Sequence, residues 1–182
     1  MDKIKIKKCA IVLGVTGKFE KKILKSWKIL KKINIRYVSQ NHYKPHIAVT
    51  AGDTNDIDGI ILAIKKMNIK KFSISSPGLG IFANQSPNLH IRWNLNDQII
   101  KIKNKIDFKT KNKFINFTQN TKIHNWVPKT TLAWKDLHYY KFSKIHKLIN
   151  FMFNSDSLDV KYIYVIDFTN KEIIKSKIKL KS

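Results

Sequence analysis

Two short segments of the chain place a proline before a basic residue and an apolar-leaning run. They are Pro45-His46-Ile47-Ala48-Val49-Thr50 and Pro128-Lys129-Thr130-Thr131-Leu132-Ala133, with His46 and Lys129 standing 83 positions apart. Successive side chains of a strand alternate faces, so His46 shares a face with Ala48, and Lys129 shares one with Thr131. Two such faces opposed across a cleft aim four side chains at one point. An imidazole titrates near neutrality and can take or give a proton. A lysine ammonium is a compact charge suited to a phosphate, and a threonine hydroxyl can donate to an anionic oxygen. In a regular strand Thr50 also lies on the His46 and Ala48 face, but about 6.5 Å beyond Ala48, too far to replace a hydroxyl missing there.

Strands and helices must hold these segments in place. Cys9 to Val15 is rich in Ile and Val and reads as a buried strand. Phe19, Ile23, Leu24, Trp27, Ile29 and Leu30 recur at helical spacing with lysines between them, which predicts an amphipathic helix over Phe19 to Ile33. The strand after Pro45 leads to a helix from Thr54 to Met67, with Asp53 or Thr54 as its cap and Asp56 and Asp58 in its first turn. Phe72 to Ser75, Gly80 to Phe82 and Leu89 to Trp93 read as extended segments around a Pro77-Gly78 turn, and Asn94 to Ile106 as a third helix. Lys109 to Asn125 is polar and lacks periodicity, as mobile or functional connections do. A strand over Val127 to Trp134, a helix over Tyr140 to Phe153 and a strand pair, Val160 to Phe168 with Glu172 to Ile178, complete the order. Strand, helix, strand, helix, then paired strands occurs twice. The expectation is an α+β fold in which residues 1–182 form one domain of two intertwined lobes. Each lobe is an antiparallel sheet flanked by helices, and a pseudo-two-fold relates them around a central cleft.

Lys and Arg number 36 against 12 acidic residues, a net charge of +24 that attracts polyanions such as RNA, DNA or acidic headgroups. All but Arg36 and Arg92 of these are lysines, in a chain also crowded with Ile and Asn, the residues an AT-rich genome encodes by default. Arginine is the usual choice for bidentate phosphate recognition, so part of this charge reads as drift on a solvated surface. Cys9 is the sole cysteine, which excludes an intramolecular disulfide and a cysteine metal cluster and fits a reducing, cytoplasmic setting. No stretch reaches the roughly 20 apolar residues that span a bilayer, and the apolar run after Lys8 is too short and lacks the cleavage site of a signal peptide.

The two motifs, the Gly80-Ile81-Phe82 run before a hairpin strand, the helix after Asn94 and Trp126-Val127-Pro128 stand in one order along the chain. In that order the chain resembles the 2H phosphoesterases, most closely the bacterial 2′-5′ RNA ligase branch, over nearly its whole length. That family carries two His-x-Thr/Ser motifs, one on a central strand of each lobe. The resemblance implies that the two histidines act as general base and general acid on a 2′,3′-cyclic phosphate or a 2′-5′ linkage, while the hydroxyls hold phosphate oxygens. Opening a cyclic phosphate needs one group to take a proton from water and another to protonate the leaving oxygen; two imidazoles held in opposite states suffice, with no metal and no cofactor. Carried over by position, His46 keeps its role, Ala48 has lost the hydroxyl, Lys129 replaces the second histidine and Thr131 keeps its hydroxyl. Lys129 is a poor acid at an ordinary pKa of about 10.4, although burial and neighbouring cations push a lysine down.

The candidate catalytic residues are therefore His46, Lys129 and Thr131, with Tyr43, Thr50, His124 and Trp126 as candidate substrate contacts. Tyr43 and Trp126 precede the motif prolines and could stack on a base, although an aromatic beside a strand is more often core. His124, in the predicted loop, could swing in as a surrogate acid. Gly78 and Gly80 read as turn glycines, since no Lys-Ser or Lys-Thr follows them. Two functions follow. One is a weakened, metal-independent hydrolase acting as a monomer on RNA ends or small cyclic or 2′-5′ linked nucleotides. The other is a non-catalytic protein that binds RNA or nucleotide in the same basic cleft.

Overall fold

The Ile- and Val-rich run after Lys8 has almost nothing polar to offer solvent on either face, and it becomes the central strand of a sheet. The computed structural model describes residues 5–42, 44–153 and 156–182. In chain order the strands are β1 (Lys7–Gly14), β2 (His46–Thr54), β3 (Phe72–Ser76), β4 (Gly78–Phe82), β5 (Asn88–Arg92), β6 (Asn116–Phe117), β7 (Lys129–Ala133), β8 (Asp156–Val160), β9 (Tyr162–Asp167) and β10 (Ile173–Lys179). The helices are α1 (Lys18–Lys32), α2 (Tyr37–Asn41), α3 (Ile57–Lys65), α4 (Asp97–Thr110) and α5 (Phe142–Ile149).

The first lobe is a five-stranded sheet in the order β10-β9-β1-β2-β6, antiparallel throughout. Its core face, with Ile11, Leu13, Ile47, Val49, Ile163 and Val165, is covered by α3 and α4. The opposite face is a separate, smaller cluster of Ala10, Val12, Ala51, Tyr164 and Ile166. The second lobe holds the three-stranded antiparallel sheet β4-β5-β7 and the pair β3-β8. Phe19, Ile23, Trp27 and Leu30 bury one stripe of α1, which packs on β7 and α5 rather than on β1, so the lobes interleave. Phe19 meets Trp93 edge-on at 5.0 Å between ring centroids, and the Trp93 indole donates to the Thr130 hydroxyl at 3.0 Å.

The structure departs from the sequence reading at several element ends. β2 runs on to Thr54, so α3 starts later and Asp56, not Asp53 or Thr54, caps it by accepting from the Gly59 amide at 2.8 Å. α4 extends to Thr110. The connection beyond it is ordered by pairing: β6 lies along β2 with Phe117 opposite Gly52. A Cβ on Gly52 would sit 2.0 Å from the Asn116 carbonyl oxygen, so only glycine admits this approach. The predicted helix over Tyr140 to Phe153 is α5 flanked by 3₁₀ turns at Tyr139–Lys141 and Asn150–Met152. No helix among the described residues is long and apolar enough to cross a membrane.

Cys9 is fully buried in β1, and burial, with Asp167 adding to it, pushes its thiol up to about 12. A thiol that is neither exposed nor ionised does not react. A water-soluble thiol reagent therefore labels one site only after denaturation; labelling of the native protein at the denatured rate would contradict this packing.

Candidate active site

His46 opens β2, with its side chain largely buried. Its Nδ1 lies 3.0 Å from the Lys44 carbonyl oxygen. A carbonyl only accepts, so Nδ1 carries the proton and Nε2 keeps a free lone pair. Burial is the largest influence on this imidazole and lowers its pKa; His42 and Lys129 push the same way, and Glu172 opposes them. The result is a neutral ring fit to accept a proton.

The second lobe supplies the facing groups. In the β5–β7 ladder Arg92 pairs with Lys129 and His90 with Thr131, which puts all four on one face of the sheet. Lys129 extends its ammonium to 5.6 Å from the Phe82 ring centroid, and burial lowers its pKa. His90 packs against Phe82 at 4.5 Å, with Nδ1 held 3.1 Å from the Asn88 side-chain oxygen. Burial first, then Lys129, brings its pKa down to about 4, so it is neutral at pH 7.

A cavity of about 110 Å³ lies between the lobes, lined by His46, Ala48, Lys129 and Thr131, with Thr121 and Trp126 among its walls. Three of the four motif positions thus present polar side chains to one space, and the fourth presents the Ala48 methyl. Of the other predicted contacts, Thr50 and His124 fall elsewhere. A register shift between Ile11 and Val12 sets Ile11 opposite Thr50 and Val12 opposite Ala48. Alternation therefore breaks at Val49, and Thr50 is buried against α4, donating to Asp107. Lys103 lies 3.5 Å from the same hydroxyl and pairs with Asp107. His124 is exposed on the 3₁₀ turn Ile123–Asn125 and is not brought to the cavity. Trp126 is 6% exposed, belongs to the main core, and donates its indole N–H to the Ala48 carbonyl at 2.8 Å, so it seals the cavity instead of offering a free stacking face. Tyr43 lies outside the described residues.

Trp27, His42 and Glu172 escaped the sequence reading, as did His90 on the facing sheet. Trp27 looked like one more member of an apolar stripe, yet it lines the cavity and its buried indole N–H has no partner. His42 and Glu172 form a pair at 2.5 Å between Nδ1 and Oε2, and the other Glu172 oxygen lies 3.8 Å from Nδ1 of His46. Nothing in the sequence marked Glu172; only the fold shows it as a buried acid in a chain with 36 basic residues. His42, His46 and Glu172 are also the residues whose chemistry could hold a cation.

No family model and no curated protein matches the sequence. Solved structures do match. LigT of E. coli complexed with 3′-AMP superposes with a TM-score of 0.60 at 8% identity, covering 98% of this chain and 99% of its own. The TT0787 protein of Thermus thermophilus gives 0.66 at 7% identity, over 96% and 98% of the two chains. Usb1 of Kluyveromyces marxianus gives 0.51 at 10% identity, again over 96% and 98%. This chain has the 2H phosphoesterase fold. At the four motif positions this chain has His46, Ala48, Lys129 and Thr131, so Ala48 and Lys129 differ from a His-x-Thr pair on each strand.

Proposed function

We propose that this protein acts on the phosphodiester ends of RNA or on small nucleotides, with 2′,3′-cyclic phosphates and 2′-5′ linkages as the substrate class. We further propose that as it stands it binds them far better than it turns them over. The observation that carries the reading is the anchoring of His46 through Nδ1 to the Lys44 carbonyl, in one cavity with Lys129 and Thr131. His46 takes the proton of an attacking water. The Lys129 ammonium and Thr131 hydroxyl hold non-bridging phosphate oxygens. The step left without a partner is protonation of the leaving oxygen, because a lysine, even one lowered by burial, is a weak acid at neutral pH. Losing one of two proton-transfer groups costs about 10²- to 10⁴-fold in rate. Binding has no such requirement. The nucleotide reading is supported by the LigT structures, which were solved with 3′-AMP, NADP+, ATP and phosphate.

The test is turnover of a 2′,3′-cyclic nucleotide and a 2′-5′ dinucleotide by purified protein, beside binding of a short RNA carrying a cyclic end. Expected are binding with very slow turnover, weaker nucleotide binding in His46→Ala, and RNA affinity that falls about tenfold or more between 50 and 200 mM salt, as phosphate neutralisation by lysines requires. A salt-insensitive interaction would oppose the role of the basic surface. Salt-sensitive RNA binding that ignores His46→Ala would move the function out of the cleft to a surface that docks on RNA.

A further inference from the structure

Glu172 sits in the turn between β9 and β10, 5% exposed, beside two histidines from a distant part of the chain: His42 just after α2 and His46 at the start of β2. One nitrogen of each ring and a carboxylate oxygen lie within 4.8 Å of one another. Oε2 meets His42 at 2.5 Å; Oε1 is buried with no hydrogen-bond partner, facing Nδ1 of His46 at 3.8 Å. A buried carboxylate oxygen left without a donor is destabilising. Something that binds there has that to recover.

Two imidazoles and one carboxylate are the donor set of a zinc-type cation. Zn–N and Zn–O bonds of about 2.0–2.2 Å in a tetrahedron put ligand atoms about 3.3 Å apart. The separations here, 2.5 and 3.8 Å between each nitrogen and its nearer carboxylate oxygen, straddle that value, so rotation of the rings and carboxylate brings all three to one ion. His42 and His46 also line a second cavity of about 330 Å³ together with Glu172, which gives an ion a route in and leaves room for water as a fourth ligand. The general positive field of the chain opposes a cation, which sets the expected affinity at micromolar rather than tighter.

We propose that His42, His46 and Glu172 form a binding site for one divalent transition cation of the zinc class, and that filling it silences the cleft. The second half rests on His46 being the proton acceptor. Nδ1 of His46 cannot both donate to the Lys44 carbonyl and give its lone pair to a metal. With Nδ1 on the ion, the ring proton moves to Nε2, the nitrogen that must be bare to accept one from water. The cation takes no part in the reaction and acts as a reversible block.

The test uses the full chain with no polyhistidine tag. Titration calorimetry with Zn²⁺, and visible absorption with Co²⁺ as a probe of tetrahedral nitrogen and oxygen ligation, read binding without any need for turnover. Expected are one saturable site in the wild type and at least tenfold weaker binding in E172Q and in His42→Asn, with no change in His124→Asn, whose histidine is exposed and outside the cluster. His42 is part-exposed, so its variant folds even where the buried Glu172 change costs stability. No saturable Zn²⁺ binding by the wild type, or unchanged affinity in His42→Asn, overturns the site. Turnover by the Lys129→His variant is then followed with and without Zn²⁺. Loss of turnover on filling the site supports the block. Full turnover with zinc bound overturns the block alone, and tight zinc binding by a protein that never turns over leaves the site standing while the catalytic reading of the cleft falls.

Discussion

Lys129→His combined with Ala48→Thr raises turnover of a 2′,3′-cyclic nucleotide by about 10²- to 10⁴-fold over the wild type, the range that a second proton-transfer group contributes. Both motif positions line the same cavity. Lys129 is the first residue of β7, its side chain enters the cavity that His46 lines, and the Cβ direction that aims the ammonium would aim an imidazole along the same path. Ala48 is the second residue after His46 on the opposing strand and contributes to the same wall, so a hydroxyl there returns a donor to a phosphate oxygen and adds a further factor of about ten or more. Lys129→His alone gives most of the gain and Ala48→Thr alone gives little, because a phosphate held without an acid still waits for a proton. Adding His46→Ala to the double variant abolishes what was gained. A double variant that folds and binds nucleotide yet shows no turnover would mean that the lobes no longer present the two motifs at reactive distance.

Trp126→Ala lowers the unfolding free energy by about 3–5 kcal/mol, the range for removing a buried tryptophan. The residue is a wall shared by the main core and the cavity, and its indole N–H is tied to the Ala48 carbonyl in β2. Trp126→Phe keeps most of the ring and loses that bond, for about 1 kcal/mol. Denaturant unfolding followed by circular dichroism measures both. If Trp126→Ala cost less than about 1 kcal/mol while nucleotide affinity collapsed, the ring would be a stacking platform and not a wall.

The contrast between Trp126 and Thr50 shows where sequence legibility stopped. The two Pro-basic segments were visible because strand alternation is a local rule, and β2 and β7 obey it over the positions that matter, His46 to Ala48 and Lys129 to Thr131. Thr50 was misplaced because a bulge, which depends on β1 as much as on β2, shifts alternation by one residue just after Ala48. Trp126 was ambiguous because an aromatic before a strand reads alike whether it faces core or cleft; only the Ala48 carbonyl settled its direction. β8 went unread because Asp156, Ser157 and Asp159 leave it just two apolar side chains, and it is a strand by virtue of pairing with β3. The Glu172 cluster was out of reach for a different reason. His42 and His46 are neighbours in the chain, but the acid between them arrives from the last hairpin, and no periodicity connects the two regions.

The outer strand of the larger sheet bears on the charge itself. β10 is an edge, and its exposed positions are Ile173, Lys175, Lys177 and Lys179, with the Lys177 ammonium 4.1 Å from the Tyr162 ring centroid. An unpaired edge is a template onto which another chain can add a strand, and a row of lysines repels an identical row arriving from a second copy. Some of the +24 is therefore a guard against aggregation, acting whether or not a nucleic acid is ever bound. Exchanging the three lysines for threonine would leave the cleft untouched and turn this rim into an adhesive one.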